Sequence, residues 1–311
     1  PTVIINTPKG AAVPPKTADW LEGTYIKIIN PDGTVDYEGK EDNIRGRGNS
    51  TWGYPKKPYA LKLDSKASIL GMPKHKRWVL LANWMDRTML RNRVAFTIAE
   101  KTCLAWTPRG EFVEVILNGK HVGNYYLCEQ IKVDENRVNI NELEDTDTEG
   151  DAITGGYLME LDTYYDEVNK FKSSIMELPY MFKEPDEDVL NKQQFAYMQN
   201  YVNRLEEVLY DDTYFAIREY AKYIDIDTYI DWWLVHEITF NGEPNHPKSS
   251  YMHKDKGGKL KAGPVWDFDW GTFVPTTTTL RLSKALYYER LLSDPVFVAR
   301  LKERWAELKP K

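Results

Sequence analysis

The chain carries, about 40 residues before its last, the run Pro264-Val265-Trp266-Asp267-Phe268-Asp269-Trp270-Gly271: two carboxylates at i and i+2 among three aromatic residues. Where the backbone turns after a buried strand, such a pair can converge on one hard cation. Mg²⁺ takes one or two carboxylates and completes its shell with phosphate oxygens and water. Asp267 and Asp269 are therefore the candidate metal ligands. In a regular strand the two would merely share a face, but a surface turn has little use for Trp, Phe and Trp. Just upstream, Asn241-Gly242-Glu243-Pro244-Asn245-His246-Pro247-Lys248-Ser249-Ser250 is a polar loop between an expected helix and an expected strand. Glu243 there suits a general base that takes a hydroxyl proton, with Asn241, Asn245, Lys248 or Ser249 orienting phosphate or metal.

A third group is Arg45-Gly46-Arg47-Gly48-Asn49-Ser50-Thr51-Trp52, followed by Lys56, Lys57 and Lys62. Glycines let backbone N–H groups approach an anion, and Arg forks onto phosphate oxygens. Residues 45–93 hold 12 Lys and Arg against Asp64 and Asp86 alone, so a phosphate cradle is the better reading, although neither Walker A spacing nor GxGxxG is present. Residues 134–190 are the opposite, with 17 acids against four bases.

Other chemistries find no support. The five His lack HExxH or HxxxH spacing, and no GxSxG elbow exists. A pI near 5.6 argues against a broad nucleic-acid face. Apolar runs such as Trp78 to Ala82 stop far short of the roughly 18 residues that span a bilayer. The first residues show no basic-plus-apolar signal. Cys103 and Cys128, without CxxC spacing, read as two buried free thiols.

The elements that must position these residues change character along the chain. Strands are expected at Tyr25 to Ile29, Pro58 to Asp64 and Trp78 to Ala82, then a helix from an Asp86 cap to about Lys101. A hairpin follows, turning at Asn118-Gly119, the strongest short hairpin signal. Residues 1–133 thus read as a β-rich lobe with one main helix, and 134–186 as a connector and hinge that contains a strand from Tyr157 to Leu161. Residues 187–311 read as a mostly helical lobe, with helices at Val189 to Val208, Thr213 to Ala221 and Ile226 to Phe240, a β pair around Asp255-Lys256-Gly257-Gly258, and helices from Leu286 and Pro295.

Six blocks in order, RGRGNSTW, KKPYALKLD, WVLLANWMDRTMLRNRVAF, GNYYLCEQI, GGYLMELD and GPVWDFDWGTF, resemble the spore-coat CotH family. The resemblance implies an α+β, two-lobed protein-kinase-like fold that binds ATP and Mg²⁺. It also implies transfer of the γ-phosphoryl group to Ser or Thr of a secreted or surface protein, outside the cytoplasm. On that pattern Asp267 is the metal-binding Asp and Asp269 completes its block. Lys62 or Lys57 is the strand lysine on the phosphates, with Arg47, Asn49 and Ser50 nearby, and Glu129 is a hinge residue or lysine partner. The loop departs from the pattern: Glu243 stands where family kinases have Asp, and Lys248 and Ser249 where they have Asn. A nucleotide-binding pseudokinase module and a DxD glycosyltransferase are the alternative readings.

Overall fold

Val3, Ile5, Ile26, Ile28, Ile44, Leu61 and Leu63 occupy alternate positions of their strands, and all are buried in one apolar cluster. This alternation builds the first of two units described by the computed structural model, which covers residues 1–310. The unit comprises Pro1–Leu90 and Pro108–Gln130. Its strands β1 (Thr2–Asn6), β2 (Leu21–Ile29), β3 (Val35–Gly46), β4 (Tyr59–Ile69), β5 (Met72–Leu81), β6 (Gly110–Leu117) and β7 (Lys120–Glu129) form a closed barrel in the order β1-β2-β3-β4-β5-β7-β6. All pairs are antiparallel except β1 on β6, whose parallel pairing closes the cylinder. Closure leaves no unpaired sheet edge. The β6–β7 turn has φ of 51° at Asn118 and 74° at Gly119, as the Asn-Gly signal requires.

The second unit comprises Arg91–Thr107 and the chain from Ile131 onward. It contains α1 (Arg91–Ala99), β8 (Tyr157–Leu161), β9 (Lys170–Lys172), β10 (Pro179–Glu184), α2 (Lys192–Tyr210), α3 (Asp212–Ala216), α4 (Ile226–Ile238), β11 (Ser250–Lys254), β12 (Leu260–Ala262), α5 (Tyr288–Leu291) and α6 (Pro295–Leu308). The five strands make one antiparallel sheet, β12-β11-β8-β10-β9. At its centre β8 is buried at every residue. Helix α4 is capped by Asp225, whose Oδ1 accepts from Thr228 N, and every residue from Thr228 to His236 is buried. A helix apolar on all sides belongs in an interior.

These features overturn the expected fold class. A two-lobed kinase-like arrangement with a mostly helical second lobe is not what forms: the molecule is β-rich, with a closed seven-stranded barrel and six α-helices among the described residues. Two physical reasons account for the difference. Strand β8 forms where it was expected, but β9 and β10 are short segments in a stretch read as connector, and only tertiary pairing marks them as strands. The helix expected in the β-rich lobe starts late, because Asp86 Oδ1 is taken by the N–H and hydroxyl of Thr88 in a preceding turn. Its buried face (Asn92, Ala95, Phe96, Ala99) then packs within the second unit, where Phe96 stacks on Trp266 at 5.9 Å between ring centroids. No helix among the described residues is long and apolar enough to cross a membrane.

Candidate functional site

Strand register places the first components. Ser250 of β11 lies opposite Leu161 of β8. The next pair out, Ser249 and Asp162, therefore meets at one end of the sheet, where Ser249 N–H donates to Asp162 Oδ2 at 3.1 Å. Asp162 Oδ1 accepts from Tyr164 N–H at 2.8 Å. Burial pushes the Asp162 carboxyl above its ordinary range, and these two N–H donors oppose the shift.

The loop after α4 supplies the second component. Asn241 is fully buried, its Oδ1 accepts from Glu243 N–H at 3.0 Å, and its Nδ2 donates to the Asp267 carbonyl at 3.2 Å. One amide thus ties the Glu243 turn to the Asp267 backbone. Asp267 itself has φ 68°, a left-handed conformation in which its carboxylate leaves the line of the preceding strand. Its Oδ2 accepts from Ser249 Oγ at 3.3 Å. Phe268 is buried between Phe96 and His236, and its N–H donates to Asn92 Oδ1 at 2.8 Å. Asp269 is buried two residues beyond Asp267.

Glu243, Asp267, Asp162, Ser249 and Lys248 therefore form one cluster within the second unit. Its electrostatics are those of crowded negative charge. Burial first, then the charge of Asp267, pushes Glu243 up to about 7; Lys248 opposes this and Asp162 adds to it. Among the described residues no three His, Cys, Asp or Glu side chains converge in a ready-made metal cage. Mg²⁺ does not need one, since substrate phosphates and water complete its shell. A carboxylate beside a hydroxyl, with Glu243 and Asp162 near it and Lys248 as the opposing charge, is a donor set that fits such an ion.

A stability measurement checks this electrostatic picture. Glu243 has an ordinary value of 4.5 and a folded value of about 7, so the folded state binds its proton more tightly than the unfolded chain. That contribution is complete below about 4.5 and is lost as pH rises through about 7. In metal-free buffer the stability of Glu243→Gln relative to wild type should rise across this window and level off above it. Urea midpoints at about pH 5 and about pH 8 that move in parallel for both proteins would contradict the assignment.

The remaining expected residues lie in the barrel unit. Lys62 stands in β4 between Asn43 of β3 and Arg77 of β5 in the strand register, with its neighbours Leu61 and Leu63 turned into the core. The guanidinium groups of Arg45 and Arg77 lie 4.4 and 4.9 Å from the Trp20 ring centroid. Arg47, Asn49 and Ser50 lie on the loop leaving β3, where Arg47 N–H donates to the Pro58 carbonyl at 3.3 Å. Lys57 donates to the Trp52 carbonyl and lies 5.4 Å from the Trp52 ring centroid. Lys56 donates to the Ala82 and Asn124 carbonyls. Glu129 is buried and forked by Arg109, with Nε–Oε2 at 2.9 Å and Nη2–Oε1 at 2.8 Å.

The glycines of the RGRG run have a packing role. A Cβ on Gly46 would fall 2.5 Å from the Trp52 ring, and one on Gly48 would overlap the Thr51 hydroxyl. Gly46→Ala should cost about 1–3 kcal/mol, the usual penalty of overpacking, measured as a lowered denaturant midpoint. Sequence reasoning missed Asp162, Arg77 and Arg109. Asp162 had one usable signal: it is the only acid at the mouth of the strand GGYLMELD that turns directly into a polar segment.

A half-buried cluster of carboxylates on a helix-end loop and a sheet end defines an acidic site in a β-rich protein. The family model described as CotH kinase protein matches residues 44–311, most of the sequence, and the chain belongs to that family. A search of curated proteins found no match.

Proposed function

We propose that this chain is a Mg²⁺-dependent phosphotransferase that moves the γ-phosphoryl group of ATP to a Ser or Thr hydroxyl of a secreted or surface protein. The observation that carries the proposal is the convergence of Glu243 and Asp267 through Asn241, with Ser249 on the Asp267 carboxylate. Asp267 and Asp269 would hold Mg²⁺, which when bound neutralises charge on the transferring phosphates. Asn241 fixes the Asp267 backbone. Ser249, at the place of the usual Asn, keeps a hydroxyl on the metal-side carboxylate. Glu243 accepts the proton of the acceptor hydroxyl, and a carboxyl held near neutrality by its surroundings is well matched to that task. Its extra methylene relative to Asp is restrained by the short turn Glu243–Asn245 and the buried Pro244. In the barrel unit, Lys62 with Arg45 and Arg77 supplies positive charge suited to a polyphosphate.

The test is calorimetric titration with ATP in the presence of Mg²⁺, followed by mass spectrometry of the protein and of Ser/Thr peptides after incubation. Binding that vanishes with EDTA, together with phosphate on Ser or Thr, supports the proposal. Equal heats with and without the metal, or transfer of a sugar from a nucleotide-sugar, would overturn it.

A further inference from the structure

The segment from Val274 to Arg281 is exposed at every residue; its near end is fastened to the end of α4, and its far end to α4 and to the base loop. At the near end Phe273 N–H donates to the Thr239 carbonyl at 2.6 Å. At the far end Arg281 N–H donates to Glu237 Oε2 at 2.9 Å and Leu282 N–H to Oε1 of the same carboxylate at 2.5 Å, while Asn245 Nδ2 donates to the Arg281 carbonyl at 3.1 Å. The Arg281 backbone is thus pinned on both sides. Its guanidinium lies 5.2 Å from the Phe240 ring centroid and against Gly242, where a Cβ would overlap its Nε and Nη2. Gly242 has φ −98°, open to any residue, and the Arg281 guanidinium fills the space that a side chain there would take.

Arg281 is therefore an exposed cation held in one place beside the base loop. The Glu237 carboxylate is committed to two backbone N–H groups, and among the described residues the guanidinium forms no ion pair with a carboxylate. Lys248 differs, because its charge acts on Glu243 and Asp162. The Arg281 guanidinium lies against Gly242, one residue before Glu243 in the loop. A group reached by Arg281 thus belongs to a neighbour of the acceptor hydroxyl, a step or more of roughly 3.5 Å along an extended peptide.

We infer that Arg281 selects acceptor segments carrying an acidic side chain close to the Ser or Thr that enters the site. The guanidinium fork matches a carboxylate in two-pronged fashion, and a pre-placed arginine loses little rotamer freedom on binding. This deepens the phosphotransferase reading by naming its substrate class, and it is measured separately from transfer.

Fluorescence anisotropy with short labelled peptides, each with a central Ser flanked by Asp, Asn or Lys, is read without nucleotide. The Asp peptide should bind wild type roughly tenfold more tightly than the Asn peptide, the scale of a charge-assisted pair, and added salt should erode the difference. Arg281→Gln should abolish this preference, and Arg281→Glu should turn it toward the Lys peptide. The backbone hydrogen bonds at 281 do not depend on the side chain, so both variants should melt with wild type. Equal affinity of wild type for the three peptides, or an Asp preference that survives in Arg281→Gln, overturns the inference. Selective binding without phosphate transfer would leave it standing and sink the phosphotransferase reading. Transfer indifferent to flanking charge would do the reverse.

Discussion

Asp267→Asn should lower phosphoryl transfer by at least ~10²-fold, the scale of losing one preorganised electrostatic contact at a reacting centre. The substitution isolates charge from shape. Asn241 holds the backbone carbonyl of residue 267, and Ser249 can donate to an amide oxygen as it does to Oδ2, so both anchors survive. Phe268, packed on Phe96 and His236, keeps the segment seated. The variant should therefore melt like wild type. Because the Asp267 charge helps hold Glu243 high, the Glu243 proton should also leave at lower pH in the variant. Initial rates at saturating Mg²⁺ and ATP decide the matter: transfer at the wild-type rate would remove Asp267 from the chemistry.

The second large effect is on stability. Arg304 of α6 forks onto Asp231 of α4, with Nε–Oδ1 at 3.0 Å and Nη2–Oδ2 at 2.5 Å, and Asp231 Oδ2 also accepts from Cys103 N–H at 2.8 Å. Asp231 is fully buried and Arg304 nearly so. Arg304→Ala leaves a carboxylate stranded inside the protein and should cost about 3–5 kcal/mol, read as a lowered urea midpoint. The pair itself is not the source of that energy. An Arg304→Met, Asp231→Leu double variant should recover most of the loss, because well-packed apolar replacements spare the desolvation of two charges. Recovery matters for the site, since α4 carries the loop with Asn241 and Glu243 at its end.

Much of the site was legible before the structure because its signals were local. Asn118-Gly119 announced its hairpin through the φ it demands, Asp225 its helix through its capping oxygen, and the Trp-Asp-Phe-Asp run stood out through carboxylates among aromatics. Glu243 was readable from its loop, and Ser249 from the same string. Asp162 was not, because its partnership with Ser249 exists only once β8 and β11 pair, 87 positions apart. Arg281 was invisible for a related reason: its meaning lies in its having no carboxylate partner among the described residues and in its contact with Gly242. The fold class failed at the scale where sequence is weakest. The strand Tyr157–Leu161 was read correctly, but its sheet with Lys170–Lys172, Pro179–Glu184 and Ser250–Lys254 exists only through long-range pairing, and α1 was assigned to its neighbours in sequence rather than to Trp266 and Phe268.

The parallel seam between β1 and β6 has a practical consequence for anyone cutting this protein into pieces. The region shared with the family begins at residue 44, inside β3, so β1, β2 and most of β3 precede it. A fragment started there would discard Val3, Ile5, Ile26 and Ile28 from the interior and open the cylinder into a sheet with two raw edges. Such edges recruit other chains. The borders of evolutionary similarity and of mechanical integrity differ here, and an expression vector should follow the second.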